Sequence, residues 1–174
     1  AYGKSDELFD ELMYDNFAYK HSIIGSMEDL RAARVKDFAD FFKTYYAPNN
    51  AVLTLVGDFD TAAALRLIRR YFEDIPRGAD PPAPEMTGPK QTAERRAAVD
   101  DPLARLPRLQ IGFKAVPGNT PDFYALQVLA SALTGGQSSR LFQKLVREKE
   151  LVTNITAGIG ERRGVGAFVL TATL

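Results

Sequence analysis

Few side chains in this sequence could do chemistry, and their types already limit what that chemistry could be. His21 is the single histidine, and there is no cysteine. A zinc site normally takes several His or Cys ligands, so His21 cannot build one alone. Any Ser-His-Asp arrangement would also have to pass through it. A solitary histidine in Tyr19-Lys20-His21-Ser22 reads more simply as a satisfied structural group. The acidic pairs Asp6-Glu7, Asp10-Glu11 and Glu28-Asp29 could suggest acid–base work, but beside predicted helix starts they fit the helix dipole better. Gly135-Gly136-Gln137-Ser138-Ser139-Arg140 is the one glycine-rich loop ahead of a helix, where backbone amides could receive an anion. It lacks the G-x-x-x-x-G-K-[ST] pattern and does not follow a strand, so the stop of one helix and the start of the next explains it better. Lys144, Arg147 and Lys149 alternate with Glu148 and Glu150, which describes a solvated helix face and not a nucleic-acid stripe.

The elements that must position these residues belong to a chain of 174 residues with 22 basic and 22 acidic side chains. The balance gives no overall field favouring nucleic acid or an anionic membrane. No apolar run approaches the ~20 residues needed to span a bilayer. Ala1-Tyr2-Gly3-Lys4 is not the start of a signal peptide. Without cysteine there are no disulfides, iron–sulfur clusters or thiolate zinc sites, and nothing is learned about redox compartment.

Five of the ten prolines fall between Pro76 and Pro89, which predicts an extended linker. Before it, Leu8, Phe9, Leu12 and Met13 recur at helical spacing. Ser26 is an expected N-cap, and Val35, Phe38, Ala39, Phe42 and Tyr46 trace a helical face ending before Pro48. Ala51 to Val56 reads as a buried strand, followed by a helix capped by Asp60 or Thr61. After the linker, Thr92 to Val99 could form an edge strand. Leu109, Ile111 and Phe113 alternate with Gln110, Gly112 and Lys114 as in a half-buried strand. Thr120 and Pro121 open a helix carrying Phe123, Leu126, Leu129, Ala130 and Leu133, which stops at Gly135-Gly136. A helix through Glu150 follows, then strands from Val152 to Ile159 and from Ala167 to Leu174, joined by a hairpin turn over Gly160 to Gly166. The order predicts an α+β fold, with a mixed or antiparallel sheet packed against helices. The final strand runs to the last residue, which raises the expectation of a longer parent chain.

Several segments together resemble the pitrilysin/insulinase-type zinc metallopeptidases, which include the mitochondrial processing peptidases. They are Ile24-Gly25-Ser26-Met27-Glu28-Asp29-Leu30; Tyr45-Tyr46-Ala47-Pro48-Asn49-Asn50-Ala51-Val52-Leu53; Val56-Gly57-Asp58-Phe59-Asp60; Tyr71-Phe72 before Ile75-Pro76; Pro121-Asp122 with Tyr124-Ala125-Leu126; and Gly135-Gly136 through Ser139-Arg140-Leu141-Phe142, with Leu145, Arg147 and Glu148 after them. The resemblance implies two partial peptidase halves. Residues 1–75 would be the later portion of the first half, 76–91 the Pro-rich linker and 92–174 the opening portion of the second, inactive half.

The resemblance also implies zinc in the parent protein, held by an H-x-x-E-H motif whose glutamate acts on the metal-bound water. This sequence contains no such motif, so no metal ligand and no catalytic residue is carried over. The family's further glutamate ligand would precede Ala1, and its substrate-holding arginine and tyrosine would follow Leu174, so Arg147 and Tyr124 are not given those roles. Gly135, Gly136, Gln137, Ser138, Ser139 and Arg140 occupy the place of the glycine-rich loop of the non-catalytic processing subunit, which implies contact with substrate. The implied partners are a peptide substrate and the rest of the parent or a homologous subunit, without nucleic acid. The bacterial relatives imply export to the periplasm. Two readings follow: a fragment of a metalloendopeptidase that supplies scaffold and chamber wall, or a non-catalytic partner or core subunit such as those of respiratory complexes. A third, unrelated to the family, is an anion-binding module using Gly135 to Ser139.

Overall fold

A computed structural model describes all residues, 1–174, and divides into two compact units. The first joins Ala1–Ile23 to Glu85–Leu174, and the second is Ile24–Pro84.

The first unit is built on three antiparallel strands: β1 (Arg108–Ala115), β2 (Asn154–Ile159) and β3 (Gly166–Thr173), in the spatial order β1-β3-β2. The β2–β3 hairpin turn falls where the glycines of 160–166 place it. Register sets Leu109 beside Ala172 beside Ile155, and Phe113 beside Phe168 beside Ile159, so these rows share one face. Helix α1 (Gly3–Met13) lies on the other face. It comes close because Gly112 has no side chain there, and an added Cβ would meet the Phe9 ring at 2.5 Å and the Met13 sulfur at 2.6 Å. Helix α6 (Pro121–Thr134) packs along β2, with Phe123 and Ala130 buried. The core comprises these two residues with Met13, Tyr14, Ile155, Phe168 and Ala172.

β1 is a strand as its alternation predicts, but its burial is reversed. Leu109, Ile111 and Phe113 are exposed, while Arg108, Gln110 and Lys114 are half-buried. The cause is α1: Asp6 Oδ1 accepts from Arg108 (2.7 Å) and from Gln110 (3.2 Å), which makes the polar side of the strand the covered one. The expected strand over Thr92 to Val99 does not form. Arg95 is drawn instead to Asp15 (2.8 Å) and to the Leu12 carbonyl (3.0 Å), and Arg96 pairs with Glu94 (2.5 Å).

The second unit contains α3 (Met27–Ala32), α4 (Val35–Tyr45), a 3₁₀ turn at Pro48–Asn50 and α5 (Thr61–Phe72). Its caps are those the sequence predicts. Ser26 Oγ accepts from the Asp29 amide (2.9 Å) and Asp60 Oδ1 from the Ala63 amide (2.6 Å). The buried strand expected at Ala51 to Val56 is neither buried nor paired. No backbone hydrogen bond joins residues 52–56 to another element. Leu53 and Leu55 line an apolar groove of about 470 Å³ with Phe59, Leu67, Ile68 and Tyr71, while Val52 and Val56 are 94% and 92% exposed. The apolar composition of the segment is that of a strand, but this unit holds no second strand to receive it.

The Pro-rich stretch 76–91, expected as a linker, has no regular secondary structure. It is nevertheless held down. Gly78 donates to Asn49 Oδ1 (3.0 Å) and Asp80 accepts from Asn49 (2.9 Å), both within the second unit.

Candidate functional site

The loop Gly135–Arg140 is made by the end of α6. Thr120 Oγ1 caps the start of that helix through the Phe123 amide (3.3 Å), and Pro121 supplies its first turn. At the other end the Gly135 amide closes on the Ser131 carbonyl at 2.7 Å, and a Cβ on Gly135 would lie 2.5 Å from that same oxygen. Gly136 has φ of 89°, a left-handed conformation that glycine adopts without cost. The chain then turns into a short helix that widens into a π-helical segment, Phe142–Glu148. Such segments are rare and recur at functional sites.

Most of the loop's polar groups are used internally. Ser139 is buried, and its hydroxyl donates to the Gly136 carbonyl (2.7 Å). Gln143 Nε2 donates to the Gln137 carbonyl (2.6 Å), and Arg147 donates to Gln137 Oε1 (3.3 Å). The side chains of Ser138 and Arg140 enter no hydrogen bond or ion pair and are free to meet a ligand. Lys144 and Glu148 form a solvated i,i+4 pair (3.0 Å).

The other sequence candidates are dispersed. His21 is exposed at the end of α2 (Phe17–Lys20), with its ring stacked on Phe17 at 4.6 Å and Nδ1 2.6 Å from the Phe17 carbonyl. That contact requires Nδ1 to carry the proton and donate, a structural role. Asp29 closes its helix cap with Ser26, and Asp6 holds Arg108 and Gln110. No three His, Cys, Asp or Glu side chains gather as a metal would need. Zinc takes three or four imidazole, thiolate or carboxylate donors, and this chain offers one imidazole, no thiolate and no gathered set of such side chains, so its residues do not fit that ion.

One cluster escapes sequence reasoning. Tyr14 is 2% exposed, and Tyr19 stacks on it at 5.2 Å. The Arg162 guanidinium lies over both rings, 5.1 Å from Tyr14 and 5.9 Å from Tyr19. Burial raises the pKa of the Asp10 carboxyl; Arg162 opposes this and Asp6 adds to it. Burial likewise pushes the Tyr14 phenol up. No spacing signal could reveal the cluster, because Arg162 reaches it from the far end of the chain.

These elements define an α+β fold of the metallopeptidase half-domain type. The sequence profile of the peptidase M16 inactive domain matches residues 33–174, and the chain belongs to the peptidase M16 family. Among curated relatives, the zinc protease PqqE of Helicobacter pylori is 31% identical over 147 residues, which is 83% of this chain and 33% of that protein. A crystal structure of a protease from Helicobacter pylori superposes with a TM-score of 0.78 at 29% identity, covering 95% of this chain and 41% of that one. A chain of complex III2 from Candida albicans has the same fold (TM-score 0.74, 15% identity), covering 98% of this chain and 42% of that one. The chain thus spans between a third and about two fifths of the length of these three proteins.

Proposed function

We propose that this chain is a non-catalytic part of a zinc metalloendopeptidase: it supplies scaffold and one wall of a peptide-holding chamber, and zinc and peptide-bond hydrolysis belong to parts of the parent outside it. The match to the inactive domain carries the reading, and the naming of relatives as zinc proteases supports it. Residues 1–75 are then the later portion of one peptidase half, 76–91 the linker and 92–174 the opening portion of the next. Exposed apolar surface supports a place inside a larger fold. Val52 and Val56 on one side of their segment, and Leu109, Ile111 and Phe113 on β1, are faces that a complete core would cover.

In this reading the loop Gly135–Arg140 is the segment that meets the peptide. Gly135, Gly136, Gln137 and Ser139 hold its shape, and Ser138 and Arg140 make the contacts, because theirs are the side chains the loop does not consume. A second reading, as part of a non-catalytic partner or core subunit, is favoured by the fold shared with the complex III2 chain.

Purified full-length parent decides between them. The first reading expects one zinc per chain and cleavage of an unstructured test peptide that stops with a chelator and returns with zinc. A parent with neither zinc nor cleavage supports the second.

A further inference from the structure

The Pro-rich linker contains a feature that goes beyond the proposed function and does not depend on it. Proline has no backbone N–H, so a proline-rich segment is short of donors while keeping all its carbonyl acceptors. Between Glu85 and Pro89 four of the five carbonyls, all but that of Gly88, are met by side-chain donors of the first unit. Asn16 Nδ2 donates to the Glu85 carbonyl (3.1 Å) and to that of Thr87 (3.4 Å). Tyr19 Oη donates to the Met86 carbonyl (3.1 Å), and Lys114 Nζ to that of Pro89 (2.5 Å). Gly88 lies against Val165, so closely that an added Cβ would come within 2.9 Å of it.

The donors are themselves held in place. Tyr19 is stacked on buried Tyr14 beneath Arg162. The Lys114 side chain is only 14% exposed and lies 3.8 Å from Asp15. Asp15 also binds Arg95 at 2.8 Å, and Arg95 reaches the Leu12 carbonyl. The segment is therefore fastened at Glu85–Pro89 and again at Arg95.

We propose that residues 85–95 form a latched strap, clasped by Asn16, Tyr19, Lys114 and Asp15, so that this stretch stays closed to a protease for as long as those side chains hold it. A linker read from composition alone would flex throughout; this one is tied to Asn49 at Gly78 and Asp80, and again from Glu85 to Arg95 by side chains of the first unit.

The test is limited proteolysis and spin labelling of the full-length parent. With trypsin, cleavage after Lys90 is expected to be at least about tenfold faster in the double variant Asn16→Ala/Tyr19→Phe than in the unmutated parent. A nitroxide on a cysteine placed at Lys90 should give the broad spectrum of an immobilised label, sharpening in the same double variant. Equal cleavage after Lys90 in the unmutated parent and in the double variant, or a fast-tumbling label at position 90 of the unmutated parent, would overturn the proposal. Should the double variant fold poorly, Asp15→Asn is the second variant, and no change in the label spectrum there or in the double variant also overturns it. Zinc content and peptidase activity play no part in these readouts, so loss of the functional reading leaves this one standing.

Discussion

The amide of Ala157, on the outer edge of β2, donates to the hydroxyl of Thr134 at 2.8 Å, and that hydroxyl in turn donates to the Ala130 carbonyl at 3.2 Å. The last turn of α6 thus caps one of the backbone donors that an edge strand would otherwise present to another chain. Replacing Thr134 by Val keeps the shape and removes the acceptor. The expected cost is about 1–3 kcal/mol, since a half-buried amide is left unpaired. Thr134→Ser should recover most of it. Urea denaturation of the three proteins checks this, with faster hydrogen exchange at Ala157 as the local signature.

Arg108 ties α1 to β1. It donates to Asp6 (2.7 Å) and to the Tyr2 carbonyl (3.1 Å), reaches Ser5 Oγ, and lies 4.5 Å from the centre of the Tyr2 ring. Arg108→Ala is expected to lower stability by about 2–3 kcal/mol, as charged hydrogen bonds are lost at a site that is mostly buried. Lysine cannot reproduce the planar fork and should rescue less than half. Thermal denaturation of the two variants measures the difference.

Asp10 supplies a pH dependence whose sign follows from its raised pKa. Burial disfavours the carboxylate in the folded state, so this group's penalty is absent at low pH, where it is protonated in both states. The penalty sets in as pH rises from the ordinary carboxylate value through the raised folded one. Asp10→Asn should therefore raise the melting temperature at pH 7 and leave it unchanged near about pH 3. A gain of equal size at both pH values would show that charge is not the cause.

Gly135 cannot take a side chain without displacing backbone, because its Cβ would sit 2.5 Å from the Ser131 carbonyl. Gly135→Ala should cost about 1–3 kcal/mol by overpacking and reshape the Gly136–Ser139 turn. In the parent, the same substitution is expected to weaken peptide binding more than Gly136→Asn, because asparagine is among the side chains that accept a left-handed φ at least cost and nothing lies within 4 Å of a Cβ there. Denaturation and the KM for a test peptide separate the two effects.

The helices were legible because their signals are local. Ser26, Asp60 and Thr120 cap the helices their positions predict, and Pro48 and Gly135 stop them. The β2–β3 pair is legible for the same reason, two apolar runs about a glycine turn. What failed was everything that depends on who covers a surface. The apolar character of Ala51 to Val56 suits a strand, but pairing needs a neighbour that these residues do not include. The alternation of β1 gave the strand and not the side on which it is covered, because that is decided by Asp6 on α1. The glycine loop was visible as a turn. Its closure by Gln143 and Arg147 was not, since it depends on the π-helical widening of 142–148. The Tyr14–Tyr19–Arg162 cluster joins two ends of the chain and leaves no periodic trace.

The central proposal is that the parent's zinc is held outside this chain, whose one imidazole, His21, belongs to no cluster of His, Cys, Asp or Glu side chains. Metal analysis of the full-length parent carrying His21→Ala tests it directly. The account predicts the zinc content of the unmutated parent, with peptide cleavage changed by less than about twofold. Loss of zinc from this single variant, with the fold intact by circular dichroism, would contradict it.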